Sequence, residues 1–236
     1  MENEHINSKI LEVWKNYKKE SGIYHPILYP DFKKEGILFI GLNPSFSKKA
    51  FRKILNGTEY QKVNMIEKLK RESNDFDFLI LLEKRAIDVY NYFVKFQEIS
   101  KSLDLACQHI DLFYFRETTQ NKAKERIRNY DKANKAKKFS LNNFGISQLR
   151  VALEMIKEIN PKLIVVANAF ASDIINNGSL FTISGEKIFR EKGYDTLEID
   201  NKQIPIFFSS MLSGQRALDT HSLRRLKWQI KRVFDK

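Results

Sequence analysis

Asn43, Asp111 and the serine-rich stretch 209–216 are the residues of this sequence whose types and settings could do chemistry. Asn43 lies in Gly41-Leu42-Asn43-Pro44-Ser45, directly after the apolar run 36–40, and a neutral amide there can orient a water or a polar ligand. Gly41 lets backbone or ligand approach closely, and Pro44 stiffens the loop. The same Gly-x-Asn-Pro pattern also makes an ordinary turn after a strand, and both readings stand. Asp111 is a lone acid inside the apolar run 106–115, where a carboxylate is costly to bury unless it is paired or faces a pocket from a strand end. Residues 209–216, Ser209-Ser210-Met211-Leu212-Ser213-Gly214-Gln215-Arg216, form a polar loop ahead of a final amphipathic segment carrying Arg224 and Arg225. The histidines, His5, His25, His109 and His221, show no metal-ligand spacing, and Cys107 alone can hold neither a cluster nor a cysteine-based zinc site. Chemistry without metal or cofactor is therefore expected.

The elements that must position these residues can be read from periodicity. Residues 3–21 repeat apolar side chains at helical spacing, with Trp14 expected in the core, and the two X-Pro pairs in 22–34 predict a structured loop. The anchor strand ends at Gly41. Helical patterns follow at 48–55, 61–72 and 77–100, the last rich in aromatic residues that suit packing better than base stacking. A strand is expected over 106–115, a helix over 143–160 stopped by Pro161, a fully buried strand over 162–168 and a short helix over 169–177. Two strands, 196–200 and 203–209, then lead into the serine-rich loop, and Asp219 or Thr220 can cap a helix running to Phe234. Unalternated apolar strands separated by helices predict an α/β protein with a mostly parallel sheet covered on both faces. Dinucleotide and Walker-type phosphate loops are absent, as are internal repeats.

With 236 residues the chain fits one domain, here read as residues 1–236 with a helical insertion at about 48–103. No apolar run is long enough to span a membrane and the N-terminus lacks a signal-peptide pattern, so a soluble cytoplasmic protein with no membrane partner is expected. The net charge of +12 favours a polyanionic partner, although a lysine-rich surface that merely solvates the protein gives the same total. Its distribution is uneven: residues 116–138 hold nine basic side chains against three acids, a solvated loop or an electrostatic funnel.

Taken in order, the three loops resemble those of the uracil-DNA glycosylase superfamily. Gly41-Leu42-Asn43-Pro44-Ser45 is similar to the water-activating motif, written G-Q-D-P-Y in the uracil-specific enzymes and G-x-N-P-G in the mismatch-specific and single-strand-selective branches. The Asn-bearing branches are the nearer. Asp111 occupies the strand end that supplies a base-binding asparagine in the uracil-specific enzymes, and 208–216 resembles the H-P-S-P-L-S…R motif that leads into the last helix. That alignment puts Ser210 at the motif serine and Phe208 where the motif has histidine.

The resemblance implies a three-layer sandwich around a mostly parallel four-stranded sheet flanked by helices. It implies a monomeric DNA-repair enzyme, without cofactor or metal, that hydrolyses the N-glycosidic bond of a damaged or deaminated base. Asn43 would position the water. Gly41, Leu42, Pro44, Ser45, Asp111, Phe208 and Ser210 would contact the flipped base. Met211, Leu212, Ser213, Arg216, Arg224 and Arg225 would contact DNA. A catalytically inactive nucleic-acid-binding member of the same fold is the alternative, and an α/β enzyme acting on a free nucleotide or small anion is a third.

Overall fold

The computed structural model describes residues 2–44, 48–129, 139–176, 187–189, 194–214 and 217–234. Two compact units interleave along the chain, one built from Met1–Asp31, Asn43–Val89 and Asp111–Ala152, the other from Phe32–Leu42, Tyr90–Ile110 and Leu153–Lys236. The segment 48–103 is thus shared between them, changing unit at Tyr90.

The second unit contains the sheet. Its strands are β1 (Ile37–Gly41), β2 (Cys107–Asp111, whose last residue clusters with the first unit), β3 (Leu163–Ala167), β4 (Lys187–Phe189), β5 (Asp195–Ile199) and β6 (Lys202–Ser209). They lie in the order β2-β1-β3-β6-β5-β4, six strands among the described residues where four were expected. The pairs β1/β3 and β3/β6 are parallel, through Phe39↔Val165 and Val165↔Phe207, whereas β5 runs antiparallel to both β6 and β4. β1 and β3 are buried at every position, which is why their sequences do not alternate. The β5–β6 hairpin closes on Asp200 and Asn201 with φ of 50° and 64°, the left-handed pair that a tight two-residue turn demands. β4 was not anticipated, because three residues are too few for a period to declare itself.

Gly36 opens β1 where the backbone of Ala106 crosses it. The Ile37 N–H donates to the Ala106 carbonyl at 2.8 Å, and a Cβ at Gly36 would lie 2.2 Å from that oxygen. Backbone cannot retreat as a side chain can. Gly36→Ala is therefore expected to lower unfolding free energy by about 1–3 kcal/mol in urea titration; an unchanged midpoint would show that the two strands separate freely.

The same unit holds a 3-10 turn, Asn91–Phe93, followed by α6 (Val94–Lys101), with α9 (Ala169–Asn176) and α10 (Thr220–Phe234) later in the chain. α6 packs on β1 by stacking Phe96 against Phe39, centroids 4.7 Å apart, while His109 stacks on Phe96 at 5.7 Å and meets Phe93 edge-on at 5.0 Å. Burial drives the His109 pKa down to about 3, so this imidazole is a neutral core ring at physiological pH. α9 lies against β3 and β6 and is capped by Asn168, whose Oδ1 accepts from the N–H groups of Phe170 and Ala171. Asp219 caps α10 by accepting from the Ser222 hydroxyl at 2.6 Å and from the N–H groups of Ser222 and His221, which together hold its carboxyl down at about 2. Asp219→Ala should lower the thermal midpoint at pH 7, while at pH below about 2, where the carboxylate is protonated in both states, the difference should vanish.

The first unit is helical: α1 (Glu4–Asn16), α2 (Lys18–Ser21), α3 (Lys48–Leu55), α4 (Met65–Leu69), α5 (Phe76–Val89), α7 (Gln120–Ile127) and the first half of α8 (Asn143–Ile159). The continuous helix expected over 3–21 breaks at Tyr17, and that expected over 77–100 breaks at the extended Tyr90, where the chain passes into the other unit. Trp14 is buried, stacked on His25 at 4.6 Å and covered by the Arg71 guanidinium at 3.6 Å from its centroid. Buried Asn7 fixes the proline-rich loop by giving and taking a hydrogen bond with the Tyr29 backbone, at 2.8 and 2.9 Å.

Candidate functional site

Asn43 follows Leu42, itself 5% exposed, at the point where the chain leaves β1. Its Nδ2 donates to the carbonyl of Glu117 at 2.9 Å and to that of Pro44 at 3.2 Å, and the Glu117 N–H returns a bond to Pro44 O at 3.1 Å. Two carbonyls can be served only by an NH2 group, so the amide has one orientation and its Oδ1 is left as the acceptor. Asn43 and Pro44 are half-buried, and both are tied to Glu117. Ser45, the next residue of the motif, lies outside the described residues, as does Arg216.

The partner segment, 111–117, is equally constrained. Asp111 is the last residue of β2, 5% exposed, and its N–H donates to the Tyr29 hydroxyl at 2.9 Å. Arg116 is buried and donates to Glu83 Oε1 at 2.8 Å, while its Nε has no partner and its guanidinium lies 5.8 Å from the Phe51 ring. Glu117 accepts from Arg126 Nε at 3.1 Å, and Arg126 also donates to the Glu20 carbonyl at 2.7 Å. Glu83 is thus bonded to the buried Arg116 guanidinium, and Asp111 lies within its field. Burial pushes the Asp111 carboxyl well above the usual range, the nearby Glu83 charge pushes the same way, and Arg116 only partly offsets them. Burial also raises Glu83. The bonded geometry makes Glu83 the partner of Arg116, and burial together with the Glu83 charge favours the protonated form of Asp111.

Buried Asp111 makes stability depend on pH. A carboxyl whose folded pKa is raised keeps its proton in the folded state while the unfolded chain releases it, so stability is fully present below about pH 4 and falls as pH rises toward the folded value. Wild-type thermal midpoints should therefore drop from pH 5 to pH 8 more steeply than those of Asp111→Asn. Parallel curves would remove Asp111 as the buried acid.

In the sheet unit, the parallel arrangement brings the carboxyl ends of β1, β3 and β6 to one edge, with Ile40, Val166 and Phe208 side by side in register. Gly41 and Leu42 therefore share that edge with Ser209 and the turn after it. Phe208 sits two strands from Ile40, roughly 9.6 Å away, and is half-buried. Ser210 and Met211 are also half-buried, Leu212 is 3% exposed, and Ser213 Oγ donates to the Tyr92 carbonyl at 2.7 Å. Leu212 is an anchor of the turn in this conformation, which leaves Met211 as the more accessible of the two apolar residues expected to contact DNA. Arg224 and Arg225 are exposed on α10. His221 is exposed at the start of that helix, and no described histidine stands at the end of β6.

Asn43, Pro44 and Asp111 thus fall in the helical unit, and Gly41, Leu42, Phe208, Ser210–Ser213, Arg224 and Arg225 in the sheet unit. Sequence reasoning missed Tyr29, Glu83, Arg116 and Glu117. Glu83 had a signal, since it is an acid in the apolar stretch of α5 and invites the question asked of Asp111. Arg116 had been absorbed into the basic run. Among the described residues no group of three or more histidine, cysteine, aspartate or glutamate side chains could hold a metal ion, and no helix is long and apolar enough to cross a membrane. No protein-family model matches the chain, and no curated protein matches it significantly.

Proposed function

We propose that the protein is a divergent member of the uracil-DNA glycosylase superfamily, with the three-layer α/β/α architecture of that group, which hydrolyses a damaged or deaminated base from DNA. The observation that carries this reading is the locked amide of Asn43, whose two donated bonds leave Oδ1 as its acceptor just past the end of β1. An oxygen held in that way can orient a water for attack on the sugar carbon. A neutral amide is a poor proton acceptor, so bond breaking would precede attack by water.

The leaving base needs donors. With Phe208 in place of the motif histidine, the reading calls on Asp111, in the same unit as Asn43, whose burial favours the protonated, donating form. A donor-poor site suits a base that leaves easily. The test is incubation with duplexes carrying uracil, hypoxanthine, xanthine or a G·T mismatch, followed by alkali. Strand breaks that disappear in Asn43→Ala support excision.

The buried Leu212 and the half-buried Phe208 favour a second reading, a nucleic-acid-binding protein of the same fold without catalysis. Binding without breaks on every duplex selects it.

A further inference from the structure

Helix α10, Thr220–Phe234, contains no acidic residue. Leu226 and Ile230 are its buried side, and Lys227 is engaged by Glu98 at 3.0 Å. The remaining face presents Arg224, Arg225, Trp228, Gln229, Lys231 and Arg232 to solvent. Trp228 is 58% exposed, and the Arg232 guanidinium carbon lies 4.9 Å from its ring centroid. A bare indole on a surface helix discards a large hydrophobic gain unless something covers it.

We propose that this face of α10 is a platform for single-stranded nucleic acid, on which Trp228 stacks a base and Arg224, Arg225, Lys231 and Arg232 neutralise the flanking phosphates. The positions 224, 228 and 232 recur one per turn, so they form a single stripe, spanning about 12 Å. Cations on either side of an aromatic ring match the alternation of charge and base along one strand. A duplex offers the phosphates and hides the base faces. A membrane surface is disfavoured by the same face, because an interfacial helix needs an apolar stripe outward, and here Leu226 and Ile230 turn inward. The proposal rests on the nucleic-acid half of the function above and not on its catalytic half.

The chain has two tryptophans, and Trp14 is 4% exposed, so Trp228 dominates the quenchable emission. The full chain is titrated with a thymidine oligonucleotide of about a dozen nucleotides and with a duplex of equal length, following tryptophan emission and the anisotropy of labelled DNA. The single strand should quench the emission. Trp228→Ala should weaken single-strand binding by about 5- to 150-fold and leave duplex binding unchanged, and Trp228→Phe should retain most of the affinity while losing the quench. Arg224→Gln with Arg225→Gln should weaken both and reduce the single-strand salt slope by about 1.4. Duplex binding with no effect of Trp228→Ala on the single strand overturns the platform and spares the DNA-binding reading. Absence of binding to either probe overturns both.

Discussion

Arg116→Met is expected to destabilise the protein by about 3–5 kcal/mol in urea titration at pH 7, the largest stability loss among the variants considered. The guanidinium is 2% exposed and serves a bonded carboxylate, Glu83, with a second acid, Asp111, within its field. Removing it leaves Glu83 buried without a counter-charge. The paired variant Glu83→Gln with Arg116→Met removes both ions and should recover much of the loss, because what a buried pair contributes over well-packed neutral groups is small. A single Arg116→Met loss below about 1 kcal/mol would place the pair in water and reduce it to a surface contact. Arg116→Met should also loosen the Asn43 loop, since Glu117, the next residue, supplies both the carbonyl and the N–H that hold it.

Asn43→Ala is expected to abolish at least about 100-fold of any base-excision rate, the cost of mispositioning a reacting group by about an ångström. Stability should fall by only about 1–3 kcal/mol, the worth of two side-chain hydrogen bonds in a partly buried place. Asn43→Asp separates the amide's two duties. It keeps an acceptor oxygen but cannot donate to the Glu117 and Pro44 carbonyls, so it should lose the clamp. Excision surviving in Asn43→Ala would sink the water-positioning role whatever its effect on folding.

Much of the scaffold could be read before the coordinates. α3, α9 and β3 fall within a residue of their expected bounds, because each has a clean period, and Asn168 marks the passage from β3 to α9 by capping the helix. Asp219 was nameable as a cap for the same reason. What resisted were the breaks at Tyr17 and Tyr90. At both, the apolar period continues unaltered while the backbone leaves the helix, and no glycine or proline marks the change. The second half of 106–115 was also misread. Residues 112–115 are buried like strand residues, yet β2 stops at Asp111 and the following chain is tied to Gln148 and Ile27 instead. At the candidate site, Asn43 stood out by its neighbours in sequence, whereas Glu83, Arg116 and Tyr29 come from segments far apart in the chain and declare a relationship only through their distances.

Because each compact unit is stitched from three separated stretches, neither can be completed early as the polypeptide leaves the ribosome. β1 ends at Gly41, but its bonded neighbour β3 begins at Leu163, a delay on the order of ten seconds at ordinary rates of translation. Throughout that interval five consecutive apolar or glycine residues lack their native cover on the β3 side. A nascent chain arrested before Leu163 should therefore be sensitive to added protease across 37–41, and become resistant only once the last third has emerged.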